Sequence, residues 1–366
     1  MKIKAAVLYE VNTPLKVEEI DLAEPKAAEV RVRIAVCGFC HTDLHIMRGE
    51  FPTPLPAVLG HEGAGIVDAV GEGVTRVKPG DHVLMGVIVS CGKCVSCATG
   101  QPYWCENAAQ PMMTGTLLDG TSRLSKDGKS IHHVFCQSSF AEYVVVPETG
   151  VAKVREDVPL ERIVGLGCGL GTGLGSVISN PRIRVEPGAS VAVLGCGSVG
   201  LSAIMGAKLI GASKIVAVDV LDNKLAIAKE LGATLTINAS KENPVERTVL
   251  DIGPVDFAFE CVGKPDLISQ AFNMIKSSGT VVIVGAVPFG LTVPFDGFGF
   301  LLGKSIVGVP AGFMRPIVDM PRYVSLYTDG KIPLDKLITG TFKLEEINKA
   351  VEALEKGEAV KSVILP

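Results

Sequence analysis

The rhythm of apolar positions changes twice along this chain. Up to about residue 169, short β-branched runs such as VRVRIAV (30–36), GIVDAV (65–70) and AEYVVVP (141–147) are interrupted by glycines and prolines. That texture predicts an irregular, mostly β domain. From about 190, longer apolar runs appear: SVAVL (190–194), KIVAVDV (214–220), ATLTI (233–237), VDFAFECV (255–262) and TVVIVGAV (280–287). Between them lie segments of helical period, such as GLSAIMGAKLIG (200–211) and DNKLAIAKELG (222–232). Strand and helix alternating in this way predict a doubly wound parallel sheet of the Rossmann type. Near 310 the alternation stops. RPIVDMPRYVSLYTDG (315–330) and LEEINKAVEALEKG (344–357) then read as two amphipathic helices before a last short strand. The expected organisation is a domain over 1–169, a parallel α/β unit over 170–310, and a segment over 311–366 that returns to the first domain. The fold class is thus α/β, with the parallel sheet inserted into a mostly β domain.

Composition narrows what such a chain does. Of its 366 residues 47% are hydrophobic and 20% charged, enough apolar material for packed cores and against disorder. A net charge of −4 with no Lys/Arg block argues against a nucleic-acid or anionic-membrane partner. No run approaches the roughly 18 apolar residues of a membrane helix, and MKIKAAVLYEV lacks the features of a signal peptide. A cytoplasmic protein is expected. Ten cysteines are sparse for a chain of this length, yet four fall together in CGKCVSCATGQPYWC (91–105), which in a reducing compartment favours metal over disulfide.

After the run SVAVL comes Gly195-Cys196-Gly197-Ser198-Val199-Gly200, opening a helical segment. In such a loop the first glycine permits a tight turn, the second lets backbone approach a pyrophosphate, and the third packs helix on strand. The helix N-terminus offers free N–H groups to the phosphates. Asp219, nineteen residues past Gly200, ends the second strand; an acid there accepts from ribose hydroxyls and repels a 2′-phosphate. NAD is the expected cofactor, with Lys224 a further candidate near the adenosine ribose. GLGCGLGTGLG (165–175) lacks this spacing and reads as a flexible, closely packed segment.

Cys91, Cys94, Cys97 and Cys105 have the spacing C-x2-C-x2-C-x7-C. Four thiolates suit a closed tetrahedral zinc site that folds a loop without a core of its own. An iron–sulfur cluster uses similar spacing, but nothing nearby suggests an electron-transfer partner. Away from this lobe stand Cys37, Cys40, His41, His45, His61, Glu62 and Cys168. A catalytic zinc needs three protein ligands and an open position, and spacing alone leaves the choice among these seven open.

A resemblance narrows it. CHTDLH (40–45), GHEGAGIV (60–67), the four-cysteine lobe, GLGCGLGTG (165–173) and GCGSVG (195–200) followed by Val218-Asp219 occur in the order found in zinc-dependent medium-chain alcohol dehydrogenases. The likeness spans essentially the whole chain and implies a GroES-like catalytic domain around the Rossmann insertion. It implies a catalytic zinc on Cys40, His61 and Cys168, with Glu62 beside it as a transient ligand and Asp43 orienting the ligand histidine. Thr42 and His45 resemble the inner and outer members of a proton relay. His41 and Lys361 resemble basic contacts of the pyrophosphate, while Thr172, Val262 and Val284 fall at positions lining the nicotinamide. Two zinc ions per chain and NAD follow from the same resemblance. Cys37, Cys136, Cys196 and Cys261 are left to pack as small hydrophobes.

The segment 112–143 resembles the long segment of dimeric family members, which implies a homodimer. It is also similar to the branch of glutathione-dependent formaldehyde dehydrogenases. That branch carries an arginine four residues after the last lobe cysteine, where this chain has Ala109, and a longer loop over RGEFPTPLPAVLG (48–60). Both departures count against S-(hydroxymethyl)glutathione as substrate. By resemblance Val87, Val134, Phe135 and Ala286 line the pocket and leave room for a bulky apolar or aromatic primary alcohol. A catalytically silent NAD- and zinc-binding sensor is the alternative outside enzymes, disfavoured by the intact ligand set and relay.

Overall fold

The computed structural model describes every residue except Phe289 and Glu358. The chain divides into two units, one of Met1–Cys168, Arg315–Gly330 and Leu334–Pro366, the other of Gly169–Met314 and Lys331–Pro333. In the first unit the strands Lys2–Leu8, Lys16–Leu22, Leu124–Lys126, Lys129–His133 and Ala57–Val58 close a barrel. A seven-stranded sheet is ordered Val151–Lys153, His82–Met85, Gly63–Val70, Glu29–Phe39, Lys361–Leu365, Ile338–Lys343, with Tyr143–Pro147 also paired to Glu29–Phe39. The last strand of the chain lies antiparallel to Glu29–Phe39, with Ser362 opposite Phe39 and Ile364 opposite Cys37. That register carries Lys361 to the end of the strand that leads into Cys40.

In the second unit six parallel strands are ordered Leu235–Asn238, Lys214–Asp219, Ser190–Leu194, Val255–Glu260, Ile275–Ile283, Ser305–Gly308. Counted within the unit this is 3-2-1-4-5-6, so the order reverses beside Ser190–Leu194, and the loop at 195–200 leaves the carboxyl end of that strand. The near-continuous apolar runs noted above are what strands buried on both faces require.

Two expectations need correction. The glycine-rich stretch was expected to be flexible as well as closely packed; it is closely packed, but Gly169–Ile178 is a regular helix buried over nearly its whole length. Here packing overrides propensity, because the missing side chains allow a close approach. A Cβ on Gly173 would sit 2.1 Å from the Val199 carbonyl oxygen, and one on Gly175 would sit 2.4 Å from that of Gly312. The same approach explains the second correction. The unit runs to Met314 rather than 310, since the turn Pro310–Phe313 is packed on this helix.

Candidate active site

Cys40 follows the strand Glu29–Phe39 and caps the helix His41–Met47. Asp43, fully buried, accepts the Cys40 N–H through Oδ2 (3.1 Å). Its Oδ1 lies 3.1 Å from the Gly60 nitrogen and 3.1 Å from His61 Nδ1. A carboxylate can only accept, so His61 donates to it through Nδ1, which leaves Nε2 as the ring atom free to face a ligand. That Nε2 is buried and has no hydrogen-bond partner within the protein. A buried polar atom left without a partner is costly unless something engages it, as a metal ion would.

What surrounds it fits zinc. Cys40 Sγ, a His61 nitrogen, a Glu62 oxygen and Cys168 Sγ all lie within 4.8 Å of one another. A hydrogen bond from the Cys168 thiol, supported by the Lys361 and His61 charges, holds Cys40 well below the ordinary thiol range despite burial. The same bond, with burial, pushes Cys168 well above it. The two sulfurs therefore share one proton, which a cation would displace. Both Glu62 oxygens accept from Lys361 Nζ at 2.8 Å. With Glu62 so engaged, two thiolates and an imidazole remain, leaving the open position of a catalytic zinc.

In the lobe, Cys91, Cys94, Cys97 and Cys105 likewise gather within 4.8 Å. Backbone and side-chain N–H groups point at the sulfurs, including Cys91 N to Cys105 Sγ (3.2 Å) and Asn107 Nδ2 to Cys91 Sγ (3.3 Å). Against burial, the Asn107 amide and the Lys93 and Cys94 N–H groups draw Cys91 down to about 6, whereas burial and the Cys94 thiol push Cys97 up to about 12. Four thiolates crowded in this way require a cation to be ionised together, and protein sulfur then fills all four positions.

The dinucleotide loop has the geometry its glycines suggest. A Cβ on Gly200 would meet the Gly195 carbonyl oxygen at 1.8 Å, so the helix Ser198–Ile210 can begin there only without one. A Cβ on Gly197 would meet nothing within 4 Å, which leaves that side open to a phosphate. Asp219 does more than sequence suggests. Its Oδ2 accepts the Cys196 N–H (2.7 Å) and its Oδ1 those of Val220 (2.8 Å) and Leu221 (3.0 Å). From the end of its strand the carboxylate thus clamps the loop that follows Ser190–Leu194.

Thr42 is half-buried with Oγ1 3.8 Å from Cys40 Sγ, and His45, half-buried one helical turn on, pairs with Glu50. His41 is exposed, and Lys224 is half-buried in the first turn of Asp222–Leu231. Thr172 is buried in its helix, Val284 is half-buried and Val262 exposed, the last two beyond the ends of their strands. Lys361 departs most from expectation: its ammonium is buried on Glu62 and the Phe39 carbonyl (3.3 Å). A lysine inside the apolar last strand AVKSVIL was the available signal, since lysine is seldom fully buried without an acidic partner. Nothing in the sequence marked Glu50, whereas Phe135, expected by resemblance to line the pocket, has its ring 5.1 Å from the His61 ring. Cys37, Cys136 and Cys196 are buried, with thiols pushed up chiefly by burial.

Comparison with known proteins agrees with this geometry. The family model of the alcohol dehydrogenase GroES-like domain matches residues 26–156, and that of zinc-binding dehydrogenases matches 198–327. The chain belongs to the zinc-dependent medium-chain alcohol dehydrogenases. Among solved structures this dehydrogenase is similar to an alcohol dehydrogenase zinc-binding domain protein from Burkholderia ambifaria, at 39% identity and TM-score 0.95 over 100% of this chain and 99% of that one. It is similar to benzyl alcohol dehydrogenase from Acinetobacter calcoaceticus, at 38% identity and TM-score 0.94 over the same shares. A zinc-binding dehydrogenase from Sinorhizobium meliloti bound to NADP is 29% identical, with TM-score 0.82 and both chains fully covered. Among the described residues of this dehydrogenase, no helix is long and apolar enough to cross a membrane.

Proposed function

We propose that this dehydrogenase interconverts a bulky apolar or aromatic primary alcohol and its aldehyde, with NAD as hydride acceptor and two zinc ions per chain. The observation that carries the reading is the orphaned His61 Nε2 among Cys40, Cys168 and Glu62. Zinc on Cys40, His61 and Cys168 would supply a Lewis acid that makes an alcohol hydroxyl acidic. Asp43 keeps the imidazole in the tautomer that faces the metal. Thr42 and His45, three apart on one helix, share a face and can pass the hydroxyl proton outward, with Glu50 paired to the outer imidazole.

The aromatic preference is supported by the tilted rings of Phe51 and Phe135 (centroids 5.8 Å apart) next to His61, and by similarity to the Acinetobacter enzyme. The long 112–143 segment supports a homodimer, as do Phe298 and Leu301, exposed just before the last strand of the parallel sheet. A panel of alcohols and aldehydes with NAD and NADP, before and after chelation, tests the whole reading. Chelation should abolish turnover, glutathione should be dispensable, and kcat/KM should favour benzyl alcohol over ethanol. A clear preference for ethanol would refute the aromatic assignment.

The preference for NAD has its own test. Asp219→Ser should lower kcat/KM with NAD by about 10- to 100-fold, as loss of a hydrogen bond to a charged acceptor does, and narrow the gap to NADP. It should also lower Tm, because the Cys196 N–H loses its acceptor. An unchanged NAD to NADP ratio would remove Asp219 from cofactor selection and leave it only the clamp.

A further inference from the structure

Beside His61 the backbone takes an unusual course. Phe135 (φ 50°), Cys136 (φ 52°) and Ser138 (φ 69°) lie in the left-handed region, although none is glycine. Each such residue persists only where its surroundings over-determine it. The surroundings here are two buried polar side chains. Ser138 Oγ accepts the Val134 N–H (3.1 Å). Gln137, 2% exposed, donates through Nε2 to the Gly86 carbonyl (2.8 Å) and accepts the Gly63 N–H through Oε1 (3.3 Å). Just downstream, Ser139 N–H bonds to the Gly60 carbonyl (2.8 Å) and Phe140 N–H to that of Leu59 (3.0 Å). The strained run is therefore fastened to backbone on both sides of His61 and Glu62.

Its product is the placement of one ring. Phe135 stands with its centroid 5.1 Å from that of His61, tilted by 52°, and 5.8 Å from that of Phe51. Relaxing φ at 135 or 136 out of the left-handed region would swing this ring away from the imidazole. We propose that Gln137 is a positioning residue for substrate selection. Its carboxamide locks the left-handed run so that Phe135 stands as a fixed aromatic wall beside the metal-facing imidazole, against which a flat aromatic alcohol packs edge-on or offset. The inference rests on the alcohol dehydrogenase reading above.

A double-mutant cycle separates positioning from general support of the fold. Gln137→Leu, Phe135→Ala and the double variant are assayed for the ratio of kcat/KM on benzyl alcohol to that on ethanol, with zinc content measured alongside. Each single variant should lower the ratio about tenfold, the scale of one aromatic contact, and the double variant by about the same tenfold. A hundredfold fall in the double, or an unchanged ratio in Gln137→Leu, would overturn the proposal. Gln137→Leu leaves Gly86 O and Gly63 N–H without their partner, so it could fail to fold. In that case Ser138→Ala decides, with a smaller fall that should vanish in the Phe135→Ala background; persistence there overturns the proposal. A wild-type ratio favouring ethanol refutes the aromatic reading alone, since coupling of Gln137 with Phe135 remains readable in ethanol turnover. Additivity there would refute positioning too.

Discussion

Cys40→Ala is expected to lose one of the two zinc equivalents and about 10³-fold or more in kcat/KM, whereas Cys37→Ala should keep both zincs and most activity. The two residues form a C-x-x-C pair, but the fold divides them. Cys37 lies within the strand Glu29–Phe39, opposite Gly63, fully buried, its thiol pushed well up by burial and the Asp43 charge. A thiol in that state packs as a small hydrophobe, and trimming it removes one sulfur from a core at a cost of roughly 1 kcal/mol. Cys40 lies one residue beyond the strand, drawn well below the ordinary thiol range by the Cys168 hydrogen bond and two nearby cations. Without it His61 and Cys168 cannot hold a metal in an open tetrahedral site, and the several kcal/mol of Lewis-acid stabilisation go with it. Metal analysis and steady-state rates on the two variants check this; equal losses would mean the pair acts as a unit.

What could be read from the chain alone depended on how locally each feature is encoded. The dinucleotide loop was legible because strand, turn and helix start are contiguous, and each glycine answers to backbone within the same few residues. The four-cysteine lobe was legible for the same reason. The open site was not, because Cys40, His61 and Cys168 meet only through the sheet of the first unit. Spacing left seven candidates there, and family resemblance rather than periodicity narrowed them. The helix Gly169–Ile178 went unread because its glycines speak against helix locally and are required by its neighbours. The run at 135–138 had no glycine to announce it.

Lys361→Met is expected to destabilise the first unit by about 3–5 kcal/mol, the usual cost of removing one partner from a buried ion pair. In a domain of this size that is a fall in Tm of roughly 6 to 20 °C. Charge balance sets this cost. Cys40, Cys168 and Glu62 bring three potential negative charges within 4.8 Å of the His61 nitrogen, and a bound zinc ion would balance two. Lys361, 1% exposed, balances the third through both Glu62 oxygens. Burial already pushes the Glu62 carboxyl up, and Lys361 is its chief opponent. Methionine fills similar volume without the charge, so Glu62 would have to take a proton or turn toward the metal and close the open position. Either course lowers activity beyond the loss of stability. Glu62→Gln added to Lys361→Met removes the excess charge and should recover a large part of the lost Tm. The double variant melting no higher than Lys361→Met alone would show that the lysine serves something other than Glu62.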